Sequence, residues 1–410
     1  MANKRINQIF FTALLVLYSV LMMSFFYWQV IPRDGIFYSD MEAYILETQG
    51  IESGYEFPYR LFFWVSRIWT VFLSPAVAVA FTTMLCNSAA VVLTKYYFDK
   101  NLREYAQREG TRWNAAWGVV STLAVFALFF VSMIYSPRGT AFFGFDYIYR
   151  CMGILTPNPY WNATYLAVRP LTIAAFFVGV ELLREYENAL SWKKTVVFGI
   201  LVFLCTFTKP SFTFILVPTG AVILLFRLCK NKGKTWKNTG ILCLSLVPTG
   251  MLLLYEFSSV FTGTNSHAEE TGIGFELFKA WHVFSNNIPL SLVMALAFPI
   301  AVLVLNIAQL KRDESFRLAW QLWITGFLTF LICYEKGFRF SHMNFSWGYM
   351  HGLVFVFMVS ILQMVKNMMG KKPLLKRMMS VPEAGLFIYH LVCGIIFFIY
   401  MYQGNNVAWF

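Results

Sequence analysis

Two carboxylates, Asp40 and Glu42, are the side chains whose position most strongly suggests chemistry. They lie in the stretch Tyr38-Ser-Asp-Met-Glu-Ala-Tyr44, just after a strongly apolar segment at about 8–30. A carboxylate at the mouth of a membrane helix is costly unless it faces water or a partner. The pair therefore indicates acid/base chemistry at a membrane surface. If the stretch is helical, two residues turn the side chains about 200° apart, so they cannot share one face.

Several cations also lie within or beside apolar runs, where a charged side chain is costly. Arg169-Pro170 falls inside an apolar run, Lys209-Pro210 separates two runs, and Arg339 precedes another. Such cations usually face a polar cavity and pair with a partner there. A phosphate-bearing lipid headgroup would suit all of them. The alternative is a structural ion pair, such as Glu335 with Arg339 four residues later on a helix. Weaker phosphate-binding candidates are Arg60, Arg138 and His342.

The composition defines the environment of these residues. The chain has 410 residues, of which 58% are apolar and 13% are charged, whereas about a quarter of a soluble protein is charged. We therefore expect an all-α polytopic integral membrane protein, with 1–410 forming a single transmembrane domain and no separate soluble domain. Eleven apolar runs are long enough, or nearly so, to span a bilayer. They lie near 8–30, 75–96, 115–135, 160–183, 195–208, 211–228, 239–257, 288–309, 318–335, 347–366 and 384–402.

The distribution of positive charge predicts the orientation of these runs. With the N-terminus in the cytoplasm, most of the 33 Lys and Arg residues fall on the cytoplasmic side, as the positive-inside rule requires. The net charge of +12 then reports topology and attraction to anionic membrane lipids, and it does not indicate nucleic acid as a partner. The acidic pair and the cations above would all face outward.

The predicted outward loop at 31–74 carries a second feature besides the acidic motif. Arg60, Trp64 and Arg67 have spacings of four and three, which place them on one face of a helix. An aromatic helix with arginine above it is typical of a segment lying in the membrane interface. It could be a simple surface anchor, or Arg60 could contact phosphate, because arginine matches phosphate oxygens with paired donors.

Common cofactor motifs are absent from the sequence. It has no Walker motif, GxGxxG, GxSxG or HExxH in a suitable context. It has no CxxC and no Cys/His spacing of a zinc site either. No cofactor is therefore assigned. A divalent cation held by Asp40 and Glu42 is left open, since two carboxylates do not complete a site.

Three groups of residues occur along the sequence in an order that resembles a known family. The groups are Asp40-Met-Glu42, then Asn158-Pro159, Tyr165, Arg169-Pro170 and Lys209-Pro210-Ser211, and finally Arg339, His342 and Asn344 before Trp347-Gly348. The pattern is similar to the GT-C superfamily of glycosyltransferases, of the type that makes bacterial cell-surface polysaccharides. The resemblance implies a polytopic enzyme that takes a sugar from a polyprenyl-phosphate carrier on the outer face. Unlike several members, the chain has no sizeable soluble domain after its last span, which leaves the acceptor undetermined.

Each residue then has an expected role in sugar transfer. Asp40 is expected to act as the general base for an acceptor hydroxyl, with Glu42 as a helper or metal ligand. Fixed cations would stabilise the leaving lipid phosphate: Arg169, Lys209 and Arg339 first, then Arg60, Arg138 and His342. Contacts to the sugar or acceptor are expected from Tyr44, Asn158, Tyr165 and Asn344. One direct displacement would invert the anomeric carbon.

Three other functions fit part of the pattern. A polysaccharide polymerase or ligase shares lipid-linked substrates and outward arginines, but would have a larger late outward loop. A lipid-linked sugar transporter or flippase would have repeats or paired half-helices, and only the break at 208–211 suggests one. A membrane acyltransferase would use a buried histidine, yet His351 alone is more typical of core packing. The acceptor is expected to be a cell-envelope glycan or a lipid, and the location a bacterial inner membrane.

Overall fold

A computed structural model describes residues 2–32, 37, 39–55, 57–134, 156–261, 272–285, 287–369 and 374–404. Within these ranges the chain is almost entirely helical. The helices are α1 Ala2–Gln29, α2 Met41–Gln49, α3 Leu61–Trp69, α4 Pro75–Arg108, α5 Ala115–Leu128, α6 Ala163–Glu185, α7 Trp192–Thr208, α8 Thr213–Lys230, α9 Trp236–Ser245, α10 Val247–Phe261, α11 Lys279–His282, α12 Ile288–Leu305, α13 Gln309–Arg312, α14 Glu314–Ile332, α15 Asn344–Met369 and α16 Leu374–Tyr402. Two short strands, β1 Ile273–Phe275 and β2 Cys333–Glu335, pair antiparallel.

The expectation of an all-α polytopic membrane protein is confirmed at this level. Eight described helices are long and apolar enough to cross a membrane, or up to nine if the bent pair α9–α10 is one span. All eleven predicted runs contain helix, but α5 has 14 residues and α7 has 17. By helix length and apolar composition, the described helices therefore give eight or nine membrane spans, fewer than the eleven predicted. The orientation across the membrane stays a prediction.

Side chains and prolines set where the critical helices begin and end. Asn162 caps α6 by accepting the Tyr165 amide at 2.9 Å, which satisfies a backbone donor that the first turn leaves unpaired. Helix α7 ends at Thr208, because the backbone of the next residue, Lys209, is extended, with φ −169° and ψ 118°. The residue before a proline is driven out of the helical region by clash with the proline ring, so Pro210 sets this break.

Helix α15 forms the centre of the bundle, with nearly every residue buried. Its contact with α14 depends on two glycines. A Cβ on Gly352 would lie 2.6 Å from Trp323 Cα, and one on Gly326 would lie 2.8 Å from Tyr349 Cα. Small residues let membrane helices approach this closely. On the outside of the bundle, long apolar side chains such as Phe226 on α8 and Leu254 on α10 are exposed, as expected for surfaces facing lipid.

Two short pieces complete one end of the bundle. Helices α2 and α3 connect α1 to α4 and confirm that the segment at 31–74 contains short helices. Trp64 and Arg67 are exposed on α3, whereas Phe62, Phe63 and Ser66 are buried, so this helix has the expected amphipathic character. At the same end, the pairing of β1 with β2 sets Glu335 opposite Ile273, and a 3-10 helix at Gly337–His342 leads into α15.

Candidate substrate-binding cavity

A cavity of about 590 Å³ lies at the end of the bundle where α7 and α10 end and α8 and α15 begin. Its walls come from segments far apart in sequence: the connection between α2 and α3, the α7–α8 break, α10, and the turn before α15. One side is polar and the other is apolar. The lining residues are Tyr55, Phe57, Pro58, Tyr59, Lys209, Pro210, Ser211, Phe214, Gly250, Leu253, Leu254, Glu256, Phe257, Val260, Glu335, Arg339, His342, Asn344 and Trp347.

Lys209 is the most unusual cation of this cavity. It is only 4% exposed, and within the described residues no carboxylate lies at ion-pair distance from it. Instead its Nζ lies 4.7 Å from the ring centroid of Trp347 and 5.5 Å from that of Tyr59. Such cation–π contacts stabilise a desolvated ammonium by roughly 2 kcal/mol. Burial nevertheless lowers the pKa of Lys209 to about 8, although the charge of Asp40 opposes the shift.

A chain of hydrogen bonds connects Lys209 to Asp40. Lys209 Nζ donates to Thr164 Oγ1 at 3.3 Å, and Thr164 Oγ1 donates to Asn162 Oδ1 at 3.0 Å. Asn162 Nδ2 then donates to Asp40 Oδ2 at 2.9 Å. In each of these three hydrogen bonds the donor lies on the Lys209 side and the acceptor on the Asp40 side. Asn162 and Thr164, at the start of α6, therefore hold the ammonium and the carboxyl in fixed positions relative to each other.

Asp40 precedes α2 but does not cap it with its side chain. The residue is exposed at the end of the bundle, and its carboxyl accepts hydrogen bonds from Asn162 and, at 3.3 Å, from Tyr44 Oη. Desolvation by the surrounding protein raises the pKa of the carboxyl above its ordinary value, whereas the charge of Lys209 and these two hydrogen bonds oppose the rise. A carboxylate with a raised pKa is a stronger proton acceptor. Asp40 is not among the residues that line the cavity.

Tyr59 lines the cavity and is close enough to Asp40 for the carboxyl charge to act on its phenol. Burial raises the pKa of its phenol well above the ordinary value, and the charges of Asp40, Arg339 and Glu256 all act on it as well. Its ring also contacts Lys209. Tyr59 therefore lies near charged groups from several segments of this region.

The turn before α15 contributes a second cation that already has a partner. Arg339 Nε donates to Glu335 Oε1 at 3.0 Å, and Asn344 Nδ2 donates to Glu335 Oε2 at 2.6 Å. The alternative of a structural Glu335–Arg339 ion pair is thus confirmed, although all three residues line the cavity. His342 lies at the same wall, with its ring 5.3 Å from that of Tyr55.

Glu256 is a buried carboxylate that the sequence patterns did not single out. It lies on α10, lines the cavity and is 4% exposed. Among the described residues, neither of its carboxyl oxygens has a hydrogen-bond partner. Leaving a buried polar group unsatisfied costs about 1–3 kcal/mol, and more when it is charged, so this position needs an explanation.

Arg169, Asn158 and Tyr165 lie away from the cavity lining. Arg169 is 2% exposed and donates to the Pro157 carbonyl and to Asn158 Oδ1. The Asn158 amide in turn donates to the Leu128 and Val131 carbonyls. Tyr165 is buried and stacks on His351, with ring centroids 4.4 Å apart. These side chains hold the segment at 156–160 against the end of α5, and their expected substrate contacts stay predictions.

The remaining predicted residues occupy other surfaces. Arg60 is exposed and forms an ion pair with Glu47 at 2.7 Å. Glu42 is exposed on α2, which agrees with the helical argument that separates it from Asp40. Tyr44 is buried beside Asp40. Arg138 lies outside the described residues. In the described part of the chain, no three His, Cys, Asp or Glu side chains are grouped closely enough to hold a metal ion.

Four polar residues of this region escaped the sequence patterns. Tyr59 directly precedes Arg60, which was the residue of that stretch expected to bind phosphate. Asn162 and Thr164 lie in a sequence, Asn-Ala-Thr, that has the pattern of a glycosylation site, and the structure buries both side chains. Glu256 falls within an apolar run, where a single acidic residue is itself the signal, because charged side chains inside membrane segments are rare and functional.

The helices and the cavity define the class: a multi-pass membrane protein with a charged cavity at one end of its bundle. No family model matches the chain, and no curated protein matches it either.

Proposed function

We propose that the protein is a membrane glycosyltransferase that moves a sugar from a polyprenyl-phosphate carrier to a cell-envelope glycan or lipid acceptor. The observation that carries the proposal is Lys209, a buried cation in a cavity with no carboxylate at ion-pair distance among the described residues. A phosphate group would supply the missing negative charge. The apolar wall of the cavity, which includes Phe214, Leu253 and Val260, suits the lipid chain of such a carrier.

The proposed reaction is a single displacement. The acceptor hydroxyl oxygen forms a bond to the anomeric carbon while the bond from that carbon to the phosphate oxygen breaks. Asp40 takes the hydroxyl proton, and the lipid phosphate leaves with the bonding electron pair. Lys209 stabilises the charge that develops on the phosphate, as fixed cations do for leaving groups. The configuration of the anomeric carbon is inverted.

Support for Asp40 as the base comes from its link to Lys209. The Thr164–Asn162 chain fixes the carboxyl relative to the cation, and such positioning is what general-base catalysis requires. Arg339 and His342 would add positive or polar groups at the same wall, while Asn344 and Trp347 would contact the sugar. We further propose that this end of the bundle faces outward from a bacterial inner membrane. A metal requirement is not part of the proposal.

The test uses purified protein, a panel of radiolabelled polyprenyl-phosphate sugars and membrane-derived acceptors. Asp40→Asn removes the base at nearly constant shape, so transfer should fall by about 10²–10⁴-fold while expression and thermal stability are retained. The matched control is Glu52→Gln, an exposed residue of the same segment, which should transfer sugar at the wild-type rate. Full activity in Asp40→Asn would contradict the assignment.

A lipid-linked sugar transporter is the second candidate, because α9 and α10 meet at a bend of 45°. Broken helices often mark substrate sites of transporters. Movement of intact lipid-linked sugar across proteoliposomes, without cleavage of the glycosidic bond, would favour this function. Growth of a glycan by preassembled repeat units would instead favour a polymerase.

A further inference from the structure

Glu256 differs in its hydrogen bonding from Glu335, the other acidic residue that lines the cavity among the described residues. Glu335, which shares the cavity, uses both carboxyl oxygens to bind Arg339 and Asn344. Glu256 is equally enclosed, yet neither of its oxygens has a hydrogen-bond partner among the described residues. The residue borders a space large enough for a ligand, and its two oxygens lie enclosed at the wall of that space.

In the described part of the chain, the cavity offers Glu256 no hydrogen-bond or ion-pair partner. Lys209 and Arg339 line the same space, but neither lies at ion-pair distance from Glu256 in the described structure. Around it on α10, the neighbouring wall residues Gly250, Leu253 and Phe257 provide no side-chain hydrogen-bond donor to the cavity. An ionised carboxylate can accept several hydrogen bonds on its two oxygens. A ligand that carries hydrogen-bond donors would therefore satisfy Glu256.

We infer that Glu256 binds hydroxyl groups of a sugar ring inside the cavity and so contributes to the choice of substrate. Neighbouring hydroxyls of a sugar can each donate to one oxygen of the same carboxylate, which satisfies both unpaired atoms at once. The cavity then has two chemically distinct ends, with phosphate at Lys209 and sugar hydroxyls at Glu256. The inference rests on the proposed function for the identity of the ligand, but it concerns binding and not transfer.

The test measures binding by calorimetry in detergent, without acceptor, so that no reaction is needed. The probes are polyprenyl phosphates that carry hexose, N-acetylhexosamine or pentose, together with polyprenyl phosphate that carries no sugar. In the wild type, at least one sugar-carrying lipid should bind more tightly than the bare lipid. Hydrogen bonds to a charged group contribute about 1.5–3 kcal/mol, so Glu256→Leu should reduce that affinity about 10–100-fold and leave the affinity for bare lipid unchanged.

Two further variants make the result specific. Glu256→Gln keeps the shape and one acceptor oxygen, so it should lose less affinity than Glu256→Leu. Tyr255→Phe changes a lipid-facing neighbour on the same helix, which is 66% exposed, and should bind like the wild type. Equal loss for bare and sugar-carrying lipid in Glu256→Leu would overturn the inference, because it would mean a structural or purely electrostatic role. Wild-type binding that is indifferent to the sugar, both in the lipid-linked probes and in methyl glycosides added with polyprenyl phosphate, would overturn it as well.

The same titrations distinguish the two sources of a sugar ring. If Glu256 holds the donor sugar, the loss appears with the lipid-linked probes. If it holds the acceptor, the loss appears instead for methyl glycosides added to protein saturated with polyprenyl phosphate. Failure of the proposed transfer reaction would leave these binding differences intact, as expected for a transporter of the same lipid. Loss of sugar discrimination in the wild type would contradict the inference even if transfer were observed.

Discussion

The two ends of the bundle treat buried lysines in opposite ways. Lys209, at the cavity end, is 4% exposed and has aromatic rings and a threonine as its neighbours. Lys366, at the C-terminal end of α15, is 8% exposed, and its Nζ lies 3.0 Å from Asp313 Oδ2. Both cations are removed from water, but of the two only Lys366 has a described carboxylate at ion-pair distance. The difference distinguishes a charge used to hold helices together from a charge kept available.

Two other cations at the far end also lie at ion-pair distance from carboxylates. Arg227 Nη2 lies 2.7 Å from Glu314, and Arg184 lies 3.9 Å from Asp313. Although burial opposes it, the charge of Lys366 and the hydrogen bonds from Ser315 and the Phe316 amide hold the pKa of Asp313 well below its usual range. Asp313 also caps α14. The cations Lys366 and Arg227 at this end thus have carboxylate partners within the protein itself.

The largest expected effect on stability is at the far end. Lys366→Met leaves the partly buried Asp313 without its nearest cation, and breaking a buried pair from one side costs about 3–5 kcal/mol. We expect about 3 kcal/mol, since Arg184 still lies 3.9 Å from the same carboxyl. Equilibrium unfolding in mixed micelles measures the loss. The matched variant Lys209→Met should change the free energy of unfolding little, and comparable destabilisation of both would break the comparison.

A smaller effect is expected from pH at the cavity end. The pKa of free Lys209 is about 8, so below pH 8 the ammonium is already charged and affinity for a lipid phosphate should be nearly flat. Above pH 8 binding must take up a proton, and affinity should fall by up to about tenfold per pH unit until the pKa of the bound form is reached. Titration of the wild type from pH 7 to pH 10 checks this, with Lys209→Met as the control whose affinity should not follow the same slope.

The smallest effect is expected from the exposed pair. Arg60 is half-exposed, and its ion pair with Glu47 spans 13 residues of the same segment. Exposed pairs contribute about 0–1 kcal/mol, so Arg60→Ala should lower the free energy of unfolding by less than 1 kcal/mol. Lipid phosphate affinity should change by less than about threefold. A tenfold loss of affinity would instead place Arg60 with Lys209 as a phosphate-binding residue.

Local rules predicted the features that depend on neighbouring residues. Helical periodicity separated Asp40 from Glu42, Pro210 marked the break that positions Lys209, and a spacing of four residues indicated the Glu335–Arg339 pair. The sequence also indicated that the acidic pair and the candidate phosphate-binding cations would share one side of the membrane, because alternation of spans brings their segments to the same end. Of those residues, Lys209, Arg339 and His342 line the cavity, whereas Asp40, Glu42, Arg60 and Arg169 do not.

Features that depend on distant contacts were not predictable in the same way. Thr164 and Asn162 carry the link between Asp40 and Lys209, but nothing in their own segment shows that α2 and the α7–α8 break pack beside it. Glu256 becomes informative only when its lack of partners is known. Arg169 looked like a phosphate contact from its place within an apolar run, and only the fold shows that its guanidinium is bound to Pro157 and Asn158.

The central claim is that the cavity end keeps its buried cation for a phosphate. The most direct test is the affinity of purified protein for bare polyprenyl phosphate at pH 7, compared between Lys209→Met and Lys366→Met. A charge-assisted contact contributes about 1.5–3 kcal/mol, so Lys209→Met should lose about 10–100-fold in affinity while folded Lys366→Met binds like the wild type. Unchanged binding in Lys209→Met, or an equal loss in both variants, would contradict the account.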